Sequence, residues 1–514
     1  MQQAVIDTEK TPQYPGPPSE REKPTKTTSL RLQTILVVFG DGFNAASTLI
    51  TSMILARIML QSDMGTYRQI LLIGSILILV FEMAISSSVY RFWNIMKGED
   101  QDSFGLMIFF FLCVLGIIAG LAMALVAYPL ARLYNNPDLA WALLITAPFP
   151  ISIMLPKMVR PVWISQGRSW QATSFDFILA FTSIIALIIP RMFGATFQQT
   201  LMWWSFSNIM NVPCTIWALN HFLHWKKDFL KWNIVAQVWK YLWPIQISRM
   251  PTLLLTSLDK FVISTIATPA AFAIYSLGAR ELPFVSTINT SMAMVMVPRM
   301  VGEIQREQFD RVSQLWRSAC EKTAIFIYPV GAFAVVYSLP LVKFLFSSQY
   351  EESSIPLRIF AFLIFVRIVD YASIATALGR SDLILKLTVM AVGSLIVLSV
   401  PLTLIFGANG MAVATVLSTA LGSWLYLFEY RHLLKVPILR FFPLPDLLET
   451  LIIAFVAVGL GYWSQIKLGL LLNPDGFLNL VVLLVRASII TAIFYVGLLL
   501  IFKRRQILSL VKRE

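Results

Sequence analysis

The chain consists of long apolar runs separated by short polar segments. Fourteen of the runs approach the roughly 20 residues that a helix needs to cross a bilayer. A lipid-exposed backbone must satisfy its own N–H and C=O groups, so each run is predicted to be a helix. The predicted spans are 33–57, 69–90, 105–130, 139–158, 172–191, 199–222, 237–259, 274–297, 322–346, 355–378, 384–406, 409–430, 446–465 and 477–502. The pattern predicts an all-α polytopic membrane protein with about 14 transmembrane helices.

The first twelve spans form two similar series of six. Short motifs recur in the same order, at offsets of 208 and then 212 residues: Gly65-Thr66-Tyr67 with Ala273-Ile274-Tyr275, Val89-Tyr90-Arg91 with Val297-Pro298-Arg299, and Gly167-Arg168-Ser169 with Gly379-Arg380-Ser381. An even number of helices gives both copies the same orientation, and parallel repeats of this kind are a transporter architecture.

The repeat predicts four segments in the chain. Residues 1–31 are polar and rich in proline, and they are expected to form a disordered cytoplasmic tail. The two six-helix repeats are predicted at 32–235 and 236–436. Residues 437–514 are predicted to add two transmembrane helices and a basic cytoplasmic tail.

Composition and charge agree with the membrane class and set the orientation. Apolar residues make up 57% of the chain and charged residues 13%, with a mean hydropathy of +0.72, whereas soluble domains carry about 25% charged residues. Most of the 41 Lys and Arg residues lie in alternate loops and in the two terminal segments. The positive-inside rule then places both termini in the cytoplasm. The net charge of +13 is therefore read as a topology signal, and nucleic-acid binding is not expected.

A charge within the bilayer costs about 2.5–3.5 kcal/mol on insertion scales, so each one requires a reason. Asp41 lies in the first span, and the offset of 208 aligns it with Arg249 in the seventh. If both spans line the cleft between the halves, these two side chains face each other across it. The pair is either an anion-binding arginine with its neutralising carboxylate, or a static ion pair that holds the halves together.

Four arginines are candidates for a cationic substrate cleft: Arg249, Arg280, Arg91 and Arg299. Arg280 opens a polar stretch in the eighth span, although an outward, snorkelling orientation would explain it equally. Arg91 and Arg299 occupy matching inner ends of spans two and eight, where they could capture a phosphate or serve as ordinary interfacial anchors. Asp41 and Glu82 are the candidates for coupling to H⁺ or Na⁺, because burial raises the pKa of a carboxyl group.

Helix-breaking residues interrupt spans one and seven in corresponding places, at Gly40, Gly42, Pro244 and Pro251. Broken helices near the bilayer midplane are the best sequence indication of a transporter's binding site. Spans one and seven are therefore predicted to form the site and to move. A separate amphipathic helix on the inner membrane surface is predicted from Glu303 to Glu321, as a lever or a plain connector.

Several residue groups together resemble the polysaccharide-flippase families of the MOP superfamily: Leu55-Ala56-Arg57, Gly65-Thr66-Tyr67, Leu258-Asp259-Lys260-Phe261-Val262-Ile263, Ala273-Ile274-Tyr275 and Val297-Pro298-Arg299. Ala273 departs from the usual glycine. The resemblance covers about residues 30–435, and a total of 14 spans resembles the Wzx type of oligosaccharide–lipid flippase. It implies an inner-membrane protein that moves a polyprenyl-diphosphate-linked oligosaccharide to the outer leaflet by alternating access, with ion coupling and contact with polysaccharide assembly machinery as further expectations.

Three other functions stay open at the level of the sequence. A murein lipid II flippase would also use a cationic cleft, whereas a MATE-like cation exporter would favour an acidic or aromatic one. A membrane glycosyltransferase or polymerase needs larger outside loops than this chain provides, so an enzyme is not expected. Scattered Cys and His residues predict no metal site, and the absence of a GxxxxGK[ST] motif predicts no bound nucleotide cofactor.

Overall fold

The computed structural model describes residues 30–220, 222–223, 225, 230–281, 283–467 and 476–503. Within these ranges it does not describe the side chains of 30–39, 41, 43–45, 283–284 and 286. The predicted tail at 1–31 and the basic tail therefore lie almost wholly outside the described residues. Within the described ranges the regular structure is helical.

In the first half of the chain, the described residues form ten α-helices. They are α1 (Leu30–Ile58), α2 (Gln61–Glu82), α3 (Ile85–Phe92), α4 (Glu99–Leu125), α5 (Ala127–Leu133), α6 (Asp138–Ile145), α7 (Phe149–Met154), α8 (Val159–Ser165), α9 (Ser169–Met192) and α10 (Phe197–Leu219). A 3-10 turn at Leu155–Met158 joins α7 to α8. Each of the first six predicted spans coincides with one of these helices or with a consecutive group of them.

Eleven further α-helices lie in the described part of the second half. They are α11 (Trp232–Ile266), α12 (Pro269–Gly278), α13 (Pro283–Gln305), α14 (Phe309–Val336), α15 (Ser338–Phe346), α16 (Ser354–Val366), α17 (Ser373–Ala377), α18 (Ser381–Leu434), α19 (Ile438–Phe441), α20 (Leu444–Lys467) and α21 (Phe477–Phe502). The halves repeat in their helix ends: α1 ends at 58 and α11 at 266, α2 begins at 61 and α12 at 269, which is the predicted offset of 208.

Seven described helices are long and apolar enough to cross a membrane, or eight if the bent pair Asp138–Ile145 and Phe149–Ser165 is one span. Within α18, Gly407 has φ +59° and divides the helix into two limbs. Lys386 on one limb donates to Glu429 on the other at 2.9 Å, so the limbs run back along each other. The predicted spans 384–406 and 409–430 are these two limbs. The total of 14 spans stays a prediction.

The halves pack together most closely where α2 meets α12. A Cβ atom added at Gly65 would overlap the carbonyl oxygen of Pro269, so the glycine of the Gly65-Thr66-Tyr67 motif allows this approach. Gln69 strengthens the contact by donating to the hydroxyl of Ser264 at 2.9 Å. At the same end of the molecule, Arg57 donates to the carbonyl oxygen of Leu345 at 2.8 Å, which caps the C-terminus of α15.

Two predicted features of the helices are wrong. Spans one and seven are not interrupted, because α1 and α11 continue through Gly40, Gly42, Pro244 and Pro251. Spans two and eight are broken instead, where α2 gives way to α3 and α12 to α13, and span four is bent between α6 and α7. The separate surface helix from Glu303 to Glu321 does not exist either, because α14 runs unbroken from Phe309 to Val336 and buries Trp316 in the core of the second half.

Candidate functional site

A polar cavity of about 750 Å³, which we call the N-chamber, lies in the first half between Ser52, Glu82, Lys157, Asp176 and Asn211. It forms at the break between α2 and α3, where Met83 and Ala84 take the left-handed backbone conformation, with φ of 51° and 55°. Non-glycine residues adopt this conformation rarely. The break ends α2 at Glu82, whose side chain is buried on the chamber wall.

Two ion pairs line the N-chamber. Lys157, on the turn between α7 and α8, donates to the carboxylate of Glu82, which also accepts from the Ser86 hydroxyl at 3.2 Å. Arg160 and Asp176 form the second pair, with 3.6 Å between Nη1 and Oδ2. Because a buried carboxylate needs a partner to offset its desolvation, each acid here is matched by a nearby base.

A second cavity of about 710 Å³, the C-chamber, lies in the other half between Arg280, Asn289, Leu363, Thr388 and Tyr426. It forms at the break between α12 and α13, in the span that corresponds to the broken α2–α3 span. Aliphatic side chains supply much of its wall. Its charged rim carries the ion pair between Glu281 and Arg367, so Glu281 does not neutralise its neighbour Arg280.

Two arginines meet between the chambers. The hydroxyl of Ser52 on α1 accepts from Arg68 Nη2 at 2.8 Å and from Arg280 Nη1 at 3.2 Å. Arg68 lines the N-chamber and Arg280 the C-chamber. Among the described residues, the buried Nε of Arg68 has no hydrogen-bond partner.

No ion pair joins Arg68 or Arg280 to a carboxylate among the described side chains. The side chain of Asp41 lies outside that set, but its position on α1 is eleven residues from Ser52, about 16 Å along a helix axis. Two like charges held together away from water favour an anion between them. We name Arg68, Ser52 and Arg280 the arginine bridge.

A sequence model described as "Polysaccharide biosynthesis protein" matches residues 54–355, which is more than half of the chain. The chain belongs to the polysaccharide biosynthesis protein family. Its long apolar helices are those of a protein that crosses the membrane several times. A search of the curated proteins found no match.

Solved structures share the fold of this family member at low sequence identity. The lipid II flippase MurJ in an inward closed conformation matches with a TM-score of 0.69 and 17% identity, covering 92% of this chain and 100% of that one. An inward-facing multidrug resistance MATE transporter of the MOP superfamily matches with a TM-score of 0.57 and 15% identity, covering 78% and 94%. A MOP superfamily transporter from Pyrococcus furiosus gives 0.52 and 14%, covering 79% and 95%.

The structure separates the arginines that the sequence analysis grouped. Of the four cleft candidates, only Arg280 lines either chamber. Arg249 is half-buried and donates to the Ser87 hydroxyl at 3.3 Å. Arg91 is exposed and lies 4.7 Å from the centre of the Tyr241 ring, and Arg299 is exposed. The facing pair of Arg249 and Asp41 stays a prediction, since the Asp41 side chain lies outside the described residues.

Three basic residues of the N-chamber wall were missed by the sequence analysis, namely Arg68, Lys157 and Arg160. Arg68 directly follows the Gly65-Thr66-Tyr67 motif, but the predicted span began at 69, whereas α2 begins at Gln61. Starting the span at Gln61, where the preceding apolar run ends, would have placed Arg68 two turns inside the helix. Lys157 lies at the end of the predicted span 139–158 and Arg160 just beyond it, so neither was singled out as a site residue.

Proposed function

We propose that this protein moves a polyprenyl-diphosphate-linked oligosaccharide from the cytoplasmic to the outer leaflet of the inner membrane. The observation that carries the proposal is the arginine bridge. A diphosphate is a compact anion with several oxygens, and paired guanidinium groups bind such oxygens at close range with strong, directional hydrogen bonds. Arg68 and Arg280 stand on different halves of the molecule, so a diphosphate between them is held by both halves.

Alternating access follows if the two halves rock about this shared anion. While the diphosphate is bound, it relieves the repulsion between Arg68 and Arg280, and the space beside the bridge accepts the sugar attached to it. The lipid tail stays in the bilayer beside the protein, since moving hydrocarbon from lipid into water is unfavourable. Both termini are proposed to be cytoplasmic, which follows from the positive-inside rule.

The other predicted site residues keep secondary roles in this proposal. Arg91 and Arg299, at the matching ends of their spans, would capture the phosphate before it reaches the bridge, and Arg249 would lie on its route. Glu82 already has Lys157 as its counter-ion, so a coupling cation at Glu82 would have to displace that lysine. Coupling to H⁺ or Na⁺ through Asp41 or Glu82, and contact with assembly machinery, remain predictions.

The experiment measures flipping of a fluorescent polyprenyl-diphosphate oligosaccharide in proteoliposomes. Arg68→Gln and Arg280→Gln should each slow flipping by about 100-fold, because each removes a charged hydrogen bond from the phosphate. Arg306→Gln is the matched control, since that side chain is 68% exposed on the surface and its loss should leave flipping unchanged. Thermal unfolding in detergent checks that all variants fold. Normal flipping by both folded bridge variants, or export of an organic cation by a wild type that flips no lipid, would overturn the proposal.

A further inference from the structure

We infer that the N-chamber is a sugar-binding subsite that takes the oligosaccharide of the substrate, and that this oligosaccharide is uncharged and rich in hydroxyl groups. The inference rests on the proposed function, which places the diphosphate at the arginine bridge. The sugar is bonded directly to the diphosphate, so it must occupy space adjoining the bridge. Arg68 and Ser52 both lie on the N-chamber wall, so that chamber opens from the bridge itself.

The wall of the N-chamber has the chemistry that a sugar requires. Eleven of its lining side chains carry a hydroxyl or an amide, supplied by serines, threonines, tyrosines and two asparagines. Asn208 and Asn211 lie close together on α10, and their side-chain oxygens accept from Ser183 at 3.4 Å and Thr182 at 3.2 Å. An amide presents donors as well as an acceptor, so these asparagines are suited to the mixed donors and acceptors of sugar hydroxyls.

An aromatic cluster forms one side of the same chamber. The Trp204 ring lies 5.6 Å from the ring of Tyr67 and 5.0 Å from that of Phe149, measured between centroids, and all three residues line the cavity. Aromatic rings offer a flat apolar surface beside polar groups. The apolar C–H face of a pyranose ring packs against such a surface while its hydroxyls reach the neighbouring amides.

The charges of the N-chamber indicate an uncharged sugar. Glu82 is matched by Lys157 and Asp176 by Arg160, so the charges deep in the chamber balance in pairs. Arg68 is the remaining cation of the wall, and it belongs to the bridge. An acidic sugar would have to break one of these pairs, whereas hydroxyl groups can bond to the paired side chains without changing their charge.

The C-chamber is the natural contrast within the same molecule. Its cavity is of similar volume, yet aliphatic residues such as Leu363, Ile364 and Leu387 supply much of its wall. Nine hydroxyl- or amide-bearing side chains share this wall with the aliphatic ones, against eleven in the N-chamber. A sugar would therefore meet more apolar surface here, where its hydroxyls lose hydrogen bonds to water. The two chambers therefore are not interchangeable, and the sugar is assigned to the N-chamber alone.

The test compares binding of two lipids to purified protein in nanodiscs: bare polyprenyl diphosphate, and the same lipid carrying a neutral trisaccharide. Asn211→Leu removes an amide from the wall with little change of volume, and Ser183→Leu fills chamber space. We expect each to weaken binding of the trisaccharide lipid by about tenfold, the worth of one buried hydrogen bond, and to leave bare-lipid binding unchanged. Thr388→Val, on the C-chamber wall, is the matched control and should change neither.

The outcomes separate the inference from the proposed function. If wild type binds neither lipid, the proposed function fails. If wild type binds both but Asn211→Leu and Ser183→Leu fold normally and bind the trisaccharide lipid as tightly as wild type, the sugar subsite is overturned while the bridge stands. A stronger preference for an acidic trisaccharide than for the neutral one would overturn the assignment of an uncharged sugar. Two variants at different depths keep the test decisive if one of them fails to fold.

Discussion

The N-chamber and the C-chamber occupy corresponding halves of a repeated fold, yet their walls differ in chemistry. Each forms where the second span of its half is broken, but the breaks do not align: Met83 corresponds to Ser291 by the offset of 208, and Arg280 corresponds to Leu72. The break in the first half places the carboxylate of Glu82 on a hydroxyl-rich wall. The break in the second half places Arg280 on a wall with many aliphatic residues.

The difference indicates how a duplicated fold can accommodate an amphiphilic substrate. A symmetric pair of chambers would suit a symmetric ligand, whereas the proposed substrate carries its sugar on one side of the diphosphate only. The arrangement found here has a polar chamber, a pair of arginines and a largely aliphatic chamber in that order. Small shifts in where a helix breaks are enough to produce it, because they decide which side chains face each cavity.

A substitution at the contact between the halves should have the largest effect on stability and on flipping. Gly65→Ala would place a Cβ atom against the Pro269 carbonyl oxygen, one turn from Arg68. Forcing α2 away from α12 is expected to lower the free energy of unfolding by about 2–3 kcal/mol and to abolish flipping. Gly459→Ala on α20 is the matched control, because nothing lies within 4 Å of its added Cβ and helix propensity favours alanine. Equal stability of the two variants would contradict the close approach of the halves.

The ion pair of Glu82 and Lys157 in the N-chamber should have a larger coupling free energy than the pair of Glu281 and Arg367 in the C-chamber. The Glu82 side chain is only 7% exposed and that of Lys157 32%, so a double-mutant cycle with alanine should give a coupling free energy of about 1–2 kcal/mol, reduced from that of a fully buried pair by the exposure of the lysine. Thermal unfolding of the four proteins in detergent measures it. A coupling near zero would mean that the two charges are solvated separately.

The C-chamber pair should show the smallest effect. Glu281 and Arg367 are 41% and 45% exposed, and pairs exposed to this degree contribute below about 1 kcal/mol. The same double-mutant cycle is expected to give less coupling than at Glu82 and Lys157, and raising the salt concentration should weaken it further. A larger coupling free energy for Glu281 and Arg367 than for Glu82 and Lys157 would contradict the contrast between a buried pair in the N-chamber and an exposed pair at the C-chamber rim.

Much of the fold could be predicted because membrane helices leave a strong signal. Each predicted span coincides with a helix or a group of helices, and the offset of 208 recurs in the ends of α1 and α11. Broken helices were predicted in the wrong spans. Glycine and proline were taken as breaks at Gly40 and Pro244, whereas the observed breaks fall at Met83, Ala84 and beyond Gly278, where packing against other spans outweighs local propensity.

The site could be predicted only in part, because the predicted start of the second span differs from the start of the helix in the structure. Arg280 was found because it stands within an apolar run. Arg68 was assigned to a loop, because polar residues begin α2 and the apolar run starts later. Pairing of Glu82 with Lys157 joins residues 75 positions apart, and such long-range partners follow from packing between helices. The spacing of residues along one span does not contain that information.

The most direct test of the arginine bridge is a structure of the protein with polyprenyl diphosphate bound. The account predicts phosphate oxygens within about 3 Å of both guanidinium groups, the range of charge-assisted hydrogen bonds, so that the diphosphate replaces Ser52 as the partner shared by Arg68 and Arg280. Phosphates bound stably at Arg249, Arg91 or Arg299, with Arg68 and Arg280 still hydrogen-bonded to Ser52, would contradict it.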